Sequence, residues 1–410
     1  MKTRLLWLSD RMIGGYSAYS KVSYECCTRL ARMGHSVAHL PMGRANKMGK
    51  QSYHDVLIYP SGDHPFGEDV AISSYCDWKA DMLIAFKEVW TFNDIFQYAV
   101  NFVPYVPIDH SPVSPSVTSR LHSAFRVITP SRHGQRELRA AGIENVHYIP
   151  HGVDTEVFQP IEDRAACRKL FFFDPDEFVV LYVGWNRPRK MIPRMLRGYK
   201  RFLEQNPDVK AHFMLWTNVR ADRSSQETTQ GIADVNINIL PEIMDLGLGE
   251  ACRWPDWTEV DKLGGIPDWD PVGGWDMVRL MNSADVVLGC TGGEGFWEVG
   301  LEAQACGVPV ITSDYASAPE IVGSGLTVQA DDYVIVNSPG TRYALADEGK
   351  MGDALTRIMN SDREKLARKA REFSLKYDWR NIMDVYWKKF LLECEEELRP
   401  LITKEGTRTW

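Results

Sequence analysis

The most constraining feature of the sequence is the segment from Glu294 to Glu302, which places two carboxylates across a predicted loop-to-helix junction. Glu294 is predicted in the loop and Glu302 in about the second helical turn, and a buried strand follows the Gly307 corner. The first turn of a helix offers free N–H groups and the positive end of the helix dipole. Such a junction can bind a phosphate while the flanking carboxylates accept hydrogen bonds from sugar hydroxyls. The pattern therefore predicts a nucleotide sugar as the ligand.

Spacing alone also allows an amphipathic helix with two solvated glutamates. The neighbouring residues favour the functional interpretation, because the pattern continues through Ala303–Val310 to the segment Ala-Pro-Glu-Ile-Val at 318–322. This whole region resembles the E-x7-E signature of the retaining glycosyltransferases of family 4, which have the GT-B fold.

Length and composition fit an ordinary globular protein of two domains. The chain has 410 residues, of which 44% are hydrophobic and 25% charged, and no run reaches the length of a membrane-spanning helix. Eight scattered cysteines without a C-x-x-C motif indicate reduced thiols, with no disulfide framework and no zinc site. We therefore expect a cytoplasmic location.

Short apolar runs alternate with helical patterns, which is typical of parallel α/β sheets. With the family resemblance, the expected fold is α/β, with two Rossmann-like domains facing a cleft (GT-B) and a C-terminal helix that crosses back to the N-terminal domain. The predicted boundaries are 1–158 for an acceptor-side domain, 159–376 for a nucleotide-sugar-binding domain, and 377–410 for the C-terminal helix. A long helical stretch is predicted over about 353–398, and the step Tyr377–Trp379 inside it resembles the family's crossing to the N-terminal domain.

The net charge is −8, yet residues 1–50 contain nine lysines and arginines against two acidic residues. This basic segment could face an anionic or hydroxylated acceptor, a peripheral membrane surface or a nucleic acid. A solvated basic surface explains it equally well. The sequence does not determine the oligomeric state.

Two turns that follow predicted strands contain candidate donor-binding residues. Gly14 and Gly15 resemble the family's N-terminal glycine loop, which lies near the donor phosphates. In domain two, Lys190 aligns with the family's phosphate-binding lysine. Trp185 then occupies the family's arginine position, so we expect Arg187 to supply that contact or the contact to be lost. Fixed cations of this kind stabilise a departing diphosphate.

Further candidate residues come from the resemblance. Asp109 and His110 end a strand of domain one and resemble the family's histidine loop, and the register leaves open which of the two is reactive. Glu294 is expected to accept hydrogen bonds from the transferred sugar, and Glu302 from the ribose.

The amides of Gly295, Phe296 and Trp297 are expected to line the sugar pocket, although the family usually has a small residue in place of Trp297. The segment Asp174-Pro-Asp176 is interpreted as a turn, so neither a metal nor any other cofactor is expected. The tryptophan-rich segment 253–276 is interpreted as a long loop that either shapes a pocket or only packs.

The predicted function is the transfer of a hexose from a UDP- or GDP-linked sugar to an unidentified acceptor, with retention of anomeric configuration. A catalytically silent GT-B subunit is the main alternative, and a phosphorylase or nucleotide-sugar epimerase is a third possibility.

Overall fold

The protein divides into two compact units, each built around a largely parallel sheet. The computed structural model describes residues 2–13, 17–43, 49–220, 237–255, 275–335 and 340–398. Unit 1 comprises Met1–Ile108, Val113–Gly152 and Trp379–Trp410, and unit 2 comprises Asp109–Pro112 and Val153–Asp378.

Unit 1 contains an eight-stranded sheet with the order β3-β4-β2-β1-β5-β6-β7-β8. All neighbouring strands are parallel except β3 and β4, which are antiparallel. The central strands are largely apolar because helices cover both faces of such a sheet. The strands are β1 (Arg4–Ser9), β2 (Ser36–Pro41), β3 (Gln51–Tyr53), β4 (Val56–Ile58), β5 (Met82–Phe86), β6 (Phe102–Tyr105), β7 (Val127–Thr129) and β8 (Val146–Tyr148).

The first helix of unit 1 begins and ends close to the positions that the sequence predicts. Ser17 caps the first helix by accepting a hydrogen bond from the Ser20 N–H, and Gly34, with a φ of 97°, follows its end. The helices are α1 (Ala18–Arg32), α2 (Glu68–Trp78), α3 (Phe96–Ala99), α4 (Pro115–Thr118) and α5 (Arg132–Ala140).

Unit 2 contains a six-stranded parallel sheet with the order β11-β10-β9-β12-β13-β14, and a separate antiparallel hairpin of β15 and β16. This strand order places the carboxyl ends of β9 and β12 side by side. The strands are β9 (Phe178–Val183), β10 (Ala211–Trp216), β11 (Cys252–Arg253), β12 (Val286–Gly289), β13 (Val310–Ser313), β14 (Gly325–Val328), β15 (Ala330–Ile335) and β16 (Arg342–Ala346).

Helices cover this second sheet. One apolar core cluster joins β9 and β10 to two of these helices through Tyr199, Phe202 and Leu355. The helices are α6 (Arg164–Leu170), α7 (Ile192–Gln205), α8 (Leu240–Asp245), α9 (Trp275–Ser283), α10 (Glu298–Ala305), α11 (Glu348–Met359) and α12 (Arg363–Leu375).

The stretch predicted as helical over about 353–398 is mostly helical, but its helices stop and restart twice. Asp362 caps α12 by accepting a hydrogen bond from the Lys365 N–H, which begins a new helix after α11. After α12, Asp378 forms a β-bridge with Val153 and accepts a hydrogen bond from the Thr155 hydroxyl. These bonds hold the segment in a non-helical conformation before the chain enters unit 1.

The C-terminal helix returns to unit 1, as the fold class predicts. It consists of α13 (Trp379–Ile382), a π-helical turn at Met383–Trp387, and α14 (Lys388–Leu398). Trp387 contacts Trp7 of β1 with ring centroids 5.8 Å apart. Trp379 packs on Gly152, where an added Cβ would lie 2.6 Å from the indole. Large aromatic side chains therefore anchor this helix.

All eight cysteines are free thiols. Within the described residues, no helix has both the length and the apolar composition that a membrane crossing requires.

Helices α7 and α11 pack closely because Gly198 has no side chain. A Cβ at this position would lie 2.7 Å from Met351 Cβ. We expect Gly198→Ala to force the helices apart and to lower the free energy of unfolding by about 1–3 kcal/mol, despite the better helix propensity of alanine.

Urea titration tests this expectation. Gly249→Ala is the control, because its Cβ would make only an ordinary 3.7 Å contact with Met244. Equal unfolding midpoints for the two variants would contradict the packing argument.

Candidate functional site

The candidate site lies at the carboxyl ends of β9 and β12, where parallel α/β sheets bind ligands. After β9 the chain makes a 3-10 turn at Pro188–Lys190, and after β12 it enters the loop that contains Glu294. Because β9 and β12 are paired, the side chains that follow them meet above the sheet.

Glu294 binds two cations at the centre of this site. Lys190 Nζ lies 2.6 Å from Glu294 Oε1, and Arg189 Nη1 lies 3.1 Å from Glu294 Oε2. The Glu294 side chain is only 6% exposed, whereas those of Lys190 and Arg189 are 16% and 30% exposed. The carboxylate is therefore buried, and the two cations lie nearer the surface.

The electrostatics of the cluster keep the carboxylate ionised. Burial by itself would raise the pKa of Glu294, but the nearby charges of Lys190 and Arg189 outweigh it and lower this pKa. Burial and the Arg189 charge lower the pKa of Lys190, and Glu294 only partly compensates. Burial would also lower the pKa of Arg189, but Glu294 and Asp109 raise it. The site therefore contains a fixed guanidinium and a more easily titrated ammonium.

Both cations can still bind an anion. Arg189 uses Nη1 for Glu294 and for the Gly293 carbonyl oxygen, which is 3.0 Å away. Within the described part of the chain, its Nη2 and Nε atoms donate no hydrogen bond, and Lys190 Nζ donates only to Glu294. An ionised carboxylate has about four acceptor positions, so Glu294 can also accept hydrogen bonds from hydroxyl groups.

Backbone hydrogen bonds fix the two loops to each other. The Gly292 N–H donates to the Arg189 carbonyl at 2.7 Å, and the Ala344 N–H donates to the Gly292 carbonyl at 2.8 Å. The Ser317 hydroxyl donates to the Glu294 carbonyl at 2.6 Å. Met191, directly after Lys190, has a φ of 52°, a left-handed conformation that side chains disfavour. The position of the lysine is thus held against local strain.

The segment Asp109–Pro112 belongs to the same unit as this cluster. His110 is buried, and its Nδ1 lies 2.8 Å from Asp109 Oδ1. Burial would raise the pKa of Asp109, but His110 and then Arg189 outweigh it and lower this pKa. A Cβ on Gly293 would lie 2.0 Å from the Asp109 carbonyl oxygen, so the close approach requires glycine. The structure therefore brings Asp109 near Arg189.

The signature helix α10 begins at Glu298, and Glu302 lies in its second turn, as the sequence predicts. Glu302 is buried. The Trp297 side chain is buried in the core. Its indole occupies space that Gly289 and Gly300 leave open, since a Cβ on either glycine would lie within 2.3 Å of the ring. Two small neighbours thus explain how the chain tolerates tryptophan here.

Other predicted residues are not joined to the cluster by the contacts described above. The guanidinium that contacts Glu294 is that of Arg189, two positions beyond Arg187, so a role for Arg187 stays a prediction. Gly14 and Gly15 lie outside the described residues, as does most of the loop 253–276. Within the basic N-terminal segment, Arg4 donates to the Trp78 carbonyl, and Arg29 pairs with Glu25 at 2.8 Å. These two arginines contribute to folding.

Arg189 is the residue that sequence reasoning missed. Its only signal was its position directly before Lys190, and the alignment instead directed attention to Trp185 and Arg187.

Part of the chain is similar in sequence to known glycosyltransferases. Residues 247–358 match the family model described as "Glycosyl transferases group 1". A D-inositol 3-phosphate glycosyltransferase from Saccharomonospora viridis is 29% identical over 252 residues, which cover 60% of this chain and 51% of that protein. The chain spans about half the length of the curated relatives it matches.

Solved structures share the fold over nearly the whole chain. A glycosyltransferase from Rickettsia africae has a TM-score of 0.66 at 14% identity, covering 97% of this chain and 99% of its own. Anabaena HepE in complex with UDP-glucose has a TM-score of 0.64 at 15% identity, covering 97% of this chain and 100% of its own. The chain therefore has the GT-B fold, as the resemblance predicts, and part of it is similar to the glycosyltransferases that these comparisons name.

The pKa of Glu294 predicts a pH dependence of stability. The unfolded chain protonates this carboxyl near the usual value of about 4.3, above the pKa in the folded state. The stabilisation is therefore complete above that pH and is lost as the pH falls towards the lower folded pKa. We expect Glu294→Gln to lower the free energy of unfolding by roughly 1–3 kcal/mol at neutral pH and by less in acid.

Urea titrations of both proteins between about pH 6 and about pH 3 test this sign. Asp109 is present in both proteins, so the difference between them reports mainly on Glu294. A stability difference independent of pH would contradict an ionised Glu294.

Proposed function

We propose that the protein transfers a hexose from a UDP- or GDP-linked sugar to an acceptor hydroxyl, with retention of anomeric configuration. The observation that carries this proposal is the buried Glu294 between Arg189 and Lys190, beside the start of helix α10. A diphosphate sugar carries hydroxyl groups next to negative charges, so its binding site needs hydrogen-bond acceptors beside cations. Glu294 provides acceptor atoms, and Arg189 and Lys190 provide the cations. Structures of similar fold contain UDP or UDP-glucose, which supports this donor class.

In the proposed reaction, the bond between the anomeric carbon and the diphosphate oxygen breaks. A bond from the acceptor oxygen to the same face of that carbon forms, and the acceptor proton passes to the departing phosphate oxygen. Arg189 and Lys190 stabilise the charge that develops on the leaving diphosphate. Because two fixed cations do this, we propose a metal-independent reaction, and turnover should persist in EDTA.

The remaining residues have proposed positioning roles. Glu294 binds a hydroxyl of the transferred hexose, and Glu302 binds the ribose. The amides of Gly295, Phe296 and Trp297 lie beside the sugar, and Asp109 with His110 contacts it from the neighbouring loop. The acceptor is proposed to be anionic or hydroxylated. D-inositol 3-phosphate is the first compound to test, because the relatives are named for it.

A catalytically silent subunit remains the second candidate, because Trp185 stands where the family has an arginine. Such a protein would bind a nucleotide sugar without releasing nucleoside diphosphate. Acceptor-free hydrolysis of the donor separates the two candidates. Release of a sugar phosphate, or formation of an epimeric nucleotide sugar, would instead indicate the phosphorylase or epimerase alternative.

Removal of the charge of Lys190 or of Glu294 should strongly reduce turnover. We expect Lys190→Ala and Glu294→Ala each to lower kcat/KM at least about a hundredfold, the size typical for loss of one stabilising group. The assay is release of nucleoside diphosphate from UDP-glucose and GDP-mannose, and proton NMR of the product reports the anomeric configuration.

Lys169→Ala is the matched control, since this exposed lysine of α6 lies outside the site. Near-normal turnover of either site variant, or an inverted product, would contradict the proposal.

A further inference from the structure

Trp185, directly after Gly184 at the carboxyl end of β9, has an unusually exposed side chain. Its indole is 60% exposed, whereas the other tryptophans whose burial the structure describes are buried or half-buried. An exposed large aromatic side chain beside a ligand site is a candidate for binding, because folding alone gains little from it.

The backbone that carries this ring is fixed. The Tyr182 hydroxyl donates to the Trp185 carbonyl at 3.3 Å. The next residue, Asn186, is 1% exposed, and its amide nitrogen donates to the carbonyls of Asn218 at 2.8 Å and Ile237 at 2.6 Å. The indole is therefore presented from a preorganised strand end. This limits the conformational freedom that a ligand would have to remove.

The chemistry of Trp185 differs from that of the arginine it replaces. An indole is uncharged, and Arg189 with Lys190 already supplies the cations of the site. Its flat face suits the C–H face of a six-membered sugar or cyclitol ring, and its N–H can donate to a hydroxyl.

We propose that Trp185 stacks on a carbohydrate-like ring of a bound substrate and determines specificity for that ring. This inference rests on the proposed function. The ring has two possible sources, the hexose of the donor or the ring of the acceptor.

Binding measurements test the donor as the source. Isothermal titration compares UDP with UDP-glucose for wild-type, Trp185→Ala and Trp185→Phe proteins. If Trp185 stacks on the donor hexose, Trp185→Ala raises the Kd for UDP-glucose roughly tenfold and changes the Kd for UDP by no more than about twofold. Trp185→Phe retains most of the affinity for UDP-glucose. Phe172→Ala is the matched control, because Phe172 is 86% exposed and precedes β9 at the opposite end of the strand.

Steady-state kinetics test the acceptor as the source. With UDP-glucose saturating, Trp185→Ala should raise KM for D-inositol 3-phosphate roughly tenfold and leave kcat within about threefold, and Trp185→Phe should restore most of the loss. Acceptor-free hydrolysis of UDP-glucose should then be unchanged.

Several outcomes would overturn the inference. They are unchanged behaviour of Trp185→Ala in both sets of measurements, an equal loss of UDP and UDP-glucose, or a gain in turnover for Trp185→Arg. Such a gain would show that a cation at this position stabilises the leaving diphosphate. Absence of any nucleotide-sugar binding by the wild-type protein would instead refute the proposed function, so the two failures are distinguishable.

Discussion

The site depends on one buried carboxylate held between two cations. A charge such as Glu294 is stable in the interior only when it is paired, and Lys190 and Arg189 provide that pairing. The same pairing holds both cations in place before a ligand arrives, so little reorganisation is needed on binding. Backbone bonds between the Gly292 and Arg189 loops keep this arrangement fixed. The structural requirement and the proposed functional one therefore fall on the same three side chains.

The arginine of this cluster is Arg189, whereas the family resemblance would place an arginine at the position of Trp185. Trp185 occupies the position at the strand end, and Arg189 reaches Glu294 from the 3-10 turn that follows. A charge can be supplied from different backbone positions when a turn brings it to the same point in space. The exchange leaves an uncharged aromatic ring at the strand end, where it can contact a different part of a substrate.

Much of the fold was predictable because its signals are local. The apolar strands β1, β9 and β12, the cap before α1 and the position of Glu302 in a second helical turn all follow from short patterns. The break at Asp362 was not predicted because, in the sequence, a capping aspartate looks the same as a polar residue on the exposed face of a continuing helix. Short strands such as β3 and β4 have too few residues for a periodicity. Arg189 and the packing of Trp297 on two glycines depend on tertiary contacts that one sequence does not display.

The central claim is that Arg189 and Lys190 bind the diphosphate of the donor. Isothermal titration with UDP, UMP and uridine tests it most directly, using wild-type and Lys190→Ala proteins. The account predicts that UDP binds roughly a hundredfold more tightly than uridine and that most of this advantage disappears in the variant. Equal affinities for UDP and uridine, or a variant that retains the full advantage, would contradict it.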